Sequence, residues 1–121
     1  MIEQIYFPYL TALLVLVIFI LTLYLVIAPK KVVEKYDSGE VRKKYFIKNG
    51  IKVGCEHTFY RDGRLNKVKQ YANGVLNGIA ITYYPSGAKY IEVIYTDGIL
   101  VGDYKIFEES GAIKEIKQYS Q

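Results

Sequence analysis

The sequence has no tryptophan, one cysteine, one histidine and three prolines among 121 residues. Cys55 has no partner within the chain, which excludes an intrachain disulfide scaffold. One thiol and one imidazole fall short of the roughly four ligands that a zinc site takes. The length excludes a large enzyme with a deep two-domain cleft and leaves space for one small domain and one special segment. Charge is missing from Ile5 to Ala28, and all ten glycines and all 16 Lys and Arg lie beyond that point. Of the first 28 residues 23 are apolar, whereas the remaining 93 are about 42% apolar, a modest globular composition.

What the first segment has is hydrocarbon. From Leu10 to Ile27, fourteen of eighteen positions are Leu, Ile, Val or Phe. A helix from Pro8 to Ala28 would be about 31 Å long at about 1.5 Å per residue, matching a hydrocarbon core of about 30 Å. Fourteen such residues favour insertion by roughly 4 to 8 kcal/mol as an upper bound. Tyr6, Phe7 and Tyr9 suit one membrane interface, and Tyr24, Lys30 and Lys31 the other. A cleaved signal peptide is the competing reading, since Val26-Ile27-Ala28 has suitable residues. Against it stand the missing basic residue ahead of the run, the run's length and Pro29 just after the scissile bond. The expectation is one uncleaved transmembrane helix over residues 8–28, with an extracytoplasmic N-terminus over 1–7.

Ahead of the span the only charged side chain is Glu3; soon after it come Lys30, Lys31, Lys35, Arg42, Lys43 and Lys44. Positive charge stays on the cytoplasmic side, so the C-terminal part is expected in the cytoplasm.

That part repeats itself every 24 residues. Tyr36-Asp37-Ser38-Gly39, Tyr60-Arg61-Asp62-Gly63, Tyr84-Pro85-Ser86-Gly87 and Glu108-Glu109-Ser110-Gly111 form the first set. Asn49-Gly50, Asn73-Gly74 and Asp97-Gly98 form the second, and Gly54, Gly78 and Gly102 the third. Together they account for every glycine, and a fixed period of this kind means a repeat architecture. Between the glycines lie β-branched and aromatic stretches: Lys31–Tyr36, Val41–Lys48, Val53–Tyr60, Leu65–Ala72, Asn77–Tyr84, Lys89–Thr96, Val101–Glu108 and Ala112–Tyr119. Asn-Gly and Asp-Gly supply the positive φ of tight hairpin turns. The expected fold is all-β: a single-layer antiparallel meander of about eight short strands behind a basic juxtamembrane segment and first strand (29–35). Its repeats are 36–59, 60–83, 84–107 and a partial 108–121. Gly54, Gly78 and Gly102 are expected at bulges or close backbone approaches.

Equivalent side chains recur two strands apart, about 10 Å, on one face. Two columns result: Phe59, Tyr83 and Phe107, and Ile47, Tyr71, Tyr95 and Tyr119. They form the stacking core of the repeats, a binding face of exposed rings, or one of each.

The Tyr-x-x-Gly turn, the Phe59-Tyr60 and Tyr83-Tyr84 pairs and the Asn-Gly-x-x-x-Gly spacing resemble MORN-variant repeats, the bacterial group of YwqK-type antitoxins, over about residues 31–121. Where those repeats carry Trp or Tyr soon after the third glycine, this chain has Glu56, Ala80 and Tyr104. The resemblance implies a curved single-layer sheet, roles in membrane association and protein interaction, and, for the bacterial group, toxin neutralisation.

Little here suits catalysis. Cys55 and His57 are two apart on one strand and share a face, but the equivalent positions hold Ile79 and Ile81, then Asp103 and Lys105. Such variation reads as ordinary sheet surface. Glu108-Glu109 sits in a turn, and the glycines precede strands, not helices, so no phosphate loop is present. No catalytic residue, metal or cofactor is expected. Charge is more informative: residues 30–69 carry twelve basic and five acidic side chains, residues 70–121 four and six. Lys35, Arg42, Lys43 and Lys44 are candidate contacts to anionic headgroups, although the positive-inside bias explains them equally. Nucleic acid is not expected, because a membrane already accounts for the charge.

The function expected is a membrane-anchored, non-catalytic interaction module, a scaffold or antitoxin-like protein that binds a protein partner through its sheet face or edge. The alternative is a membrane-surface module that binds anionic lipid through its basic repeats.

Overall fold

The computed structural model describes residues 2–119, with the side chains of residues 2 and 3 left aside. One helix, α1 (Ile2–Ile27), is followed by β1 (Lys30–Lys35), β2 (Val41–Lys48), β3 (Ile51–Phe59), β4 (Leu65–Ala72), β5 (Val75–Leu76), β6 (Gly78–Tyr83), β7 (Lys89–Thr96), β8 (Ile99–Phe107) and β9 (Ile113–Tyr119).

Within α1 the stretch Gln4–Ile27 is long and apolar enough to cross a membrane, a property that a signal sequence near an N-terminus shares. The helix starts earlier than expected, at Ile2, and carries Pro8 inside it. A proline in the seventh helical position removes one hydrogen bond, to the carbonyl four residues back, and the preceding turn persists without it. The Thr11 hydroxyl donates to the Pro8 carbonyl at 2.9 Å.

The nine strands form one antiparallel sheet in the order β1-β2-β3-β4-β6-β7-β8-β9, with β5 also on β4. β6 is the expected strand Asn77–Tyr84, and β5 is an additional two-residue strand ahead of it. They are separated at Asn77, whose amide turns to the Gln70 carbonyl at 2.9 Å. Two kinds of turn alternate, one at each end of the sheet. At the end next to α1, Asn49-Gly50, Asn73-Gly74 and Asp97-Gly98 all have positive φ, as type I′ hairpins require. β3 and β8 start two residues earlier than expected because such tight turns let pairing begin at once, as in Lys48 opposite Ile51. At the far end, Tyr36–Gly39 and its equivalents close three-residue loops. The Gly39 amide donates to the Tyr36 carbonyl at 2.9 Å and the Tyr36 amide to the Glu40 carbonyl at 2.8 Å.

The third glycine set sits at register shifts. Between Lys44 and Phe46 the pairing of β2 with β3 slips, so that Tyr45 alone faces Gly54, Cys55 and Glu56. These are the expected bulges. Gly78 is the most constrained of the set: its φ is +114°, and a Cβ there would meet the Gln70 side chain at 2.0 Å.

Candidate functional site

Residues paired across strands share a face, and alternate residues along a strand do too. The register therefore sorts the sheet into two faces. One carries rows such as Lys43, Thr58, Lys67, Thr82, Ile91 and Ile106, beside Glu56, Lys69, Ala80, Val93 and Tyr104. Among the described residues the three buried side chains, Glu56, Ala80 and Val93, 4 to 7% exposed, all lie there, so it is the covered face. The opposite, open face carries Lys44, Cys55, His57 and Phe59, and leaves Phe46, Ile79 and Ile94 exposed.

The two aromatic columns separate accordingly. Tyr71, Tyr95 and Tyr119 are on the covered face near the α1 end, whereas Phe59, Tyr83 and Phe107 are on the open face at the far end. Lysines cap two of the latter: Lys44 lies 5.2 Å from the Phe59 ring and Lys89 5.5 Å from that of Phe107. His57 stacks beside Phe59 with centroids 6.5 Å apart.

On the covered face a glutamate occupies the most buried polar position. The Glu56 carboxylate accepts a hydrogen bond from the Lys52 ammonium. That ammonium also lies over the rings of Tyr45 and Tyr71, at 4.6 and 5.1 Å. Burial alone would lower the Lys52 pKa, but the bond and charge of Glu56 overcome it and hold the group above its ordinary value.

Lys69 is in the reverse situation. It is directly opposite Glu56 across the strands, yet Glu56 bonds to Lys52, and among the described residues Lys43, Lys67 and Lys69 make no ion pair. Burial, followed by the charge of Lys67, pushes the Lys69 ammonium below its ordinary pKa. Lys67 and Lys69 line one wall of a shallow depression of about 220 Å³, with Ala80 and Val93 among its apolar lining and Tyr95 and Tyr104 opposite. An anionic group beside an aliphatic one fits such a surface: charge meets two cations without carboxylates of their own, and hydrocarbon meets Ala80, Val93 and Ile91.

The four candidate headgroup residues do not form one patch. Lys35 closes β1 at the far end and Arg42 donates to Glu34 at 2.7 Å, while Lys43 is on the covered face and Lys44 on the open one. Lys30 and Lys31 begin β1 beside α1. Tyr6, Phe7, Tyr9 and Tyr24 are exposed along the helix. All ten glycines have positive φ, in line with their place at turns and bulges. Among the described residues no group of three His, Cys, Asp or Glu could hold a metal ion.

Lys52, Glu56, Lys67 and Lys69 escaped the sequence reading. The usable signal was the second position after the third glycine, Glu56, Ala80 and Tyr104, which lies on the covered face. The chain matches no protein-family model, no curated protein and no solved structure.

Proposed function

We propose that this chain is a membrane-anchored interaction module of the MORN-variant kind. In this reading α1 spans the bilayer with its N-terminus outside, and the sheet stands in the cytoplasm and binds a protein partner through its covered face without catalysing a reaction. Lys67 and Lys69, unpaired beside the apolar lining of Ala80 and Val93, carry the reading: they leave cationic and apolar surface that an acidic segment of a partner would complete. An antitoxin-like role is the instance that the resemblance suggests.

The test is site-specific photo-crosslinking in native cells. A crosslinker replacing Tyr104, at the depression, is expected to give one saturable protein adduct that Lys67→Glu with Lys69→Glu removes. A crosslinker replacing Ile94, on the open face, is expected to give none. An adduct indifferent to charge reversal, or none from position 104, would defeat the proposal.

The lipid-binding alternative is favoured by Lys30, Lys31 and Lys48 close to the helix end. It predicts lipid adducts from position 48 and none to protein from position 104.

A further inference from the structure

Three aliphatic side chains follow the three turns next to α1: Ile51, Val75 and Ile99. They are 43, 43 and 55% exposed. Their turns are stacked on one another. The Gly74 amide donates to the Lys52 carbonyl at 3.0 Å, and the Gly98 amide to the Leu76 carbonyl at 2.7 Å. Each turn thus rests on the strand start of the repeat before it, and Ile51 lies 3.5 Å from where a Gly74 Cβ would be. The result is one ridge along a single end of the sheet, with successive tips about 10 Å apart.

That end is tied to the helix. Only Ala28 and Pro29 separate α1 from β1, and Lys30 pairs with Ile47, so the chain brings the Asn49-Gly50 turn to the end of α1. Val26, Ile27 and Ala28 share a cleft of about 340 Å³ with Ile47, Lys48, Asn49 and Gly50. The same end carries Lys30, Lys31 and Lys48, and on the covered face Tyr71, Tyr95 and Tyr119. Aliphatic tips, tyrosines and lysines in this order are the residues that settle at the boundary between headgroups and acyl chains.

We infer that the Ile51-Val75-Ile99 ridge rests in the headgroup–acyl boundary of the bilayer that α1 crosses, so that the sheet stands on its turn tips with its strands rising from the surface. The inference depends on α1 being a retained span. The aliphatic tips make this contact, and the basic residues flank it. Standing so, the sheet holds both faces clear of the lipid, and the covered face stays accessible to a protein.

The chain has no tryptophan, so one introduced indole reports alone. The full chain, as separate variants Phe19→Trp, Val75→Trp, Ile99→Trp and Ser86→Trp, would be reconstituted in phosphatidylcholine–phosphatidylglycerol vesicles brominated at a shallow or a deep acyl carbon. Ser86 is in a far-end turn, about 26 Å away over a strand of eight residues. Deep bromine is expected to quench F19W. Shallow bromine is expected to quench V75W and I99W several-fold more than S86W. Adding Ile51→Ser and Ile99→Ser to V75W should reduce its quenching by about half or more, since hydrocarbon burial drives the contact. If F19W is quenched while V75W and I99W match S86W, the ridge does not touch lipid and the anchor stands. An unquenched F19W defeats both. I99W keeps the test decisive if V75W alters the fold by circular dichroism.

Discussion

The Tyr60 hydroxyl donates to the Tyr83 carbonyl at 2.6 Å, across 23 residues of sequence. Tyr36 does the same to Phe59 at 2.7 Å and Tyr84 to Phe107 at 2.8 Å. The tyrosine that opens each of the first three far-end turns thus reaches the last strand residue of its own repeat, just ahead of the next far-end turn. The fourth turn opens with Glu108 and leads into β9. The bonds form a ladder from each far-end turn to the next, which explains why a tyrosine, and not any aromatic ring, begins the turn.

Tyr60→Phe keeps the ring and removes the donor, leaving the partly buried Tyr83 carbonyl without its partner. We expect a loss of about 0.5–1.5 kcal/mol in urea unfolding of the full chain in detergent micelles. Hydrogen exchange should rise mainly around the two far-end turns that the bond links, at Tyr60 and Tyr84, because repeat arrays couple nearest neighbours. A change spread evenly over the sheet would contradict the ladder.

Gly78 and Gly102 occupy the same repeat position but differ in surroundings. A Cβ at Gly102 meets nothing within 4 Å, whereas one at Gly78 displaces Gln70 Oε1, which accepts the Ile79 amide at 3.0 Å. Both alanine variants incur the cost of a left-handed backbone. Gly78→Ala should lose roughly 1 kcal/mol more, the worth of that hydrogen bond. In a Gln70→Ala background the steric part of this excess should vanish, and a double-mutant cycle by denaturant titration measures it.

Lys52 and Lys69 are expected to respond oppositely to removal. Lys52→Met leaves Glu56 buried without its partner and should destabilise. Lys69→Met removes a partly buried cation held below its ordinary pKa and should stabilise at neutral pH. The signs follow from linkage. The raised value of Lys52 contributes stability that is fully present below the unfolded value of about 10.4 and lost as pH rises through the folded one. For Lys69 the folded form gives up its proton first, so its cost at pH 7 fades as pH approaches about 10.4. Unfolding curves at pH 7 and in the alkaline range should therefore show the benefit of Lys69→Met shrinking with pH. A benefit constant with pH would point to packing alone.

Cys55, on the open face and only half-buried, reports on topology. For a retained span with a cytoplasmic sheet, the chain should resist alkaline carbonate extraction at its full mass. A membrane-impermeant maleimide should label Cys55 only after the cells are opened. Labelling in intact cells would invert the orientation, and a mass lacking the first 28 residues would make α1 a signal sequence.

Much of this fold was written locally. The uninterrupted apolar run, the Asn-Gly and Asp-Gly pairs and the 24-residue glycine spacing each act on the backbone within a few residues. An uncharged apolar run and a turn that needs positive φ require no knowledge of distant neighbours. The strands Val41–Lys48, Leu65–Ala72 and Lys89–Thr96 were therefore legible with their bounds. The break at Asn77 was not, because it depends on Gln70 filling the neighbouring bulge.

The candidate site was decided by tertiary structure. In a single-layer sheet both faces mix polar and apolar residues, so alternation does not say which face is covered. Burial at Glu56, Ala80 and Val93 comes from side chains on neighbouring strands. Whether a lysine is paired is settled in the same way: Lys52 reaches Glu56 along its own strand, while Lys69, directly opposite, is left with a cation to share. The apolar run and the repeat are properties of the chain read along its length. The covered face, its unpaired lysines and the ridge of turn tips exist only once strands two dozen residues apart lie side by side.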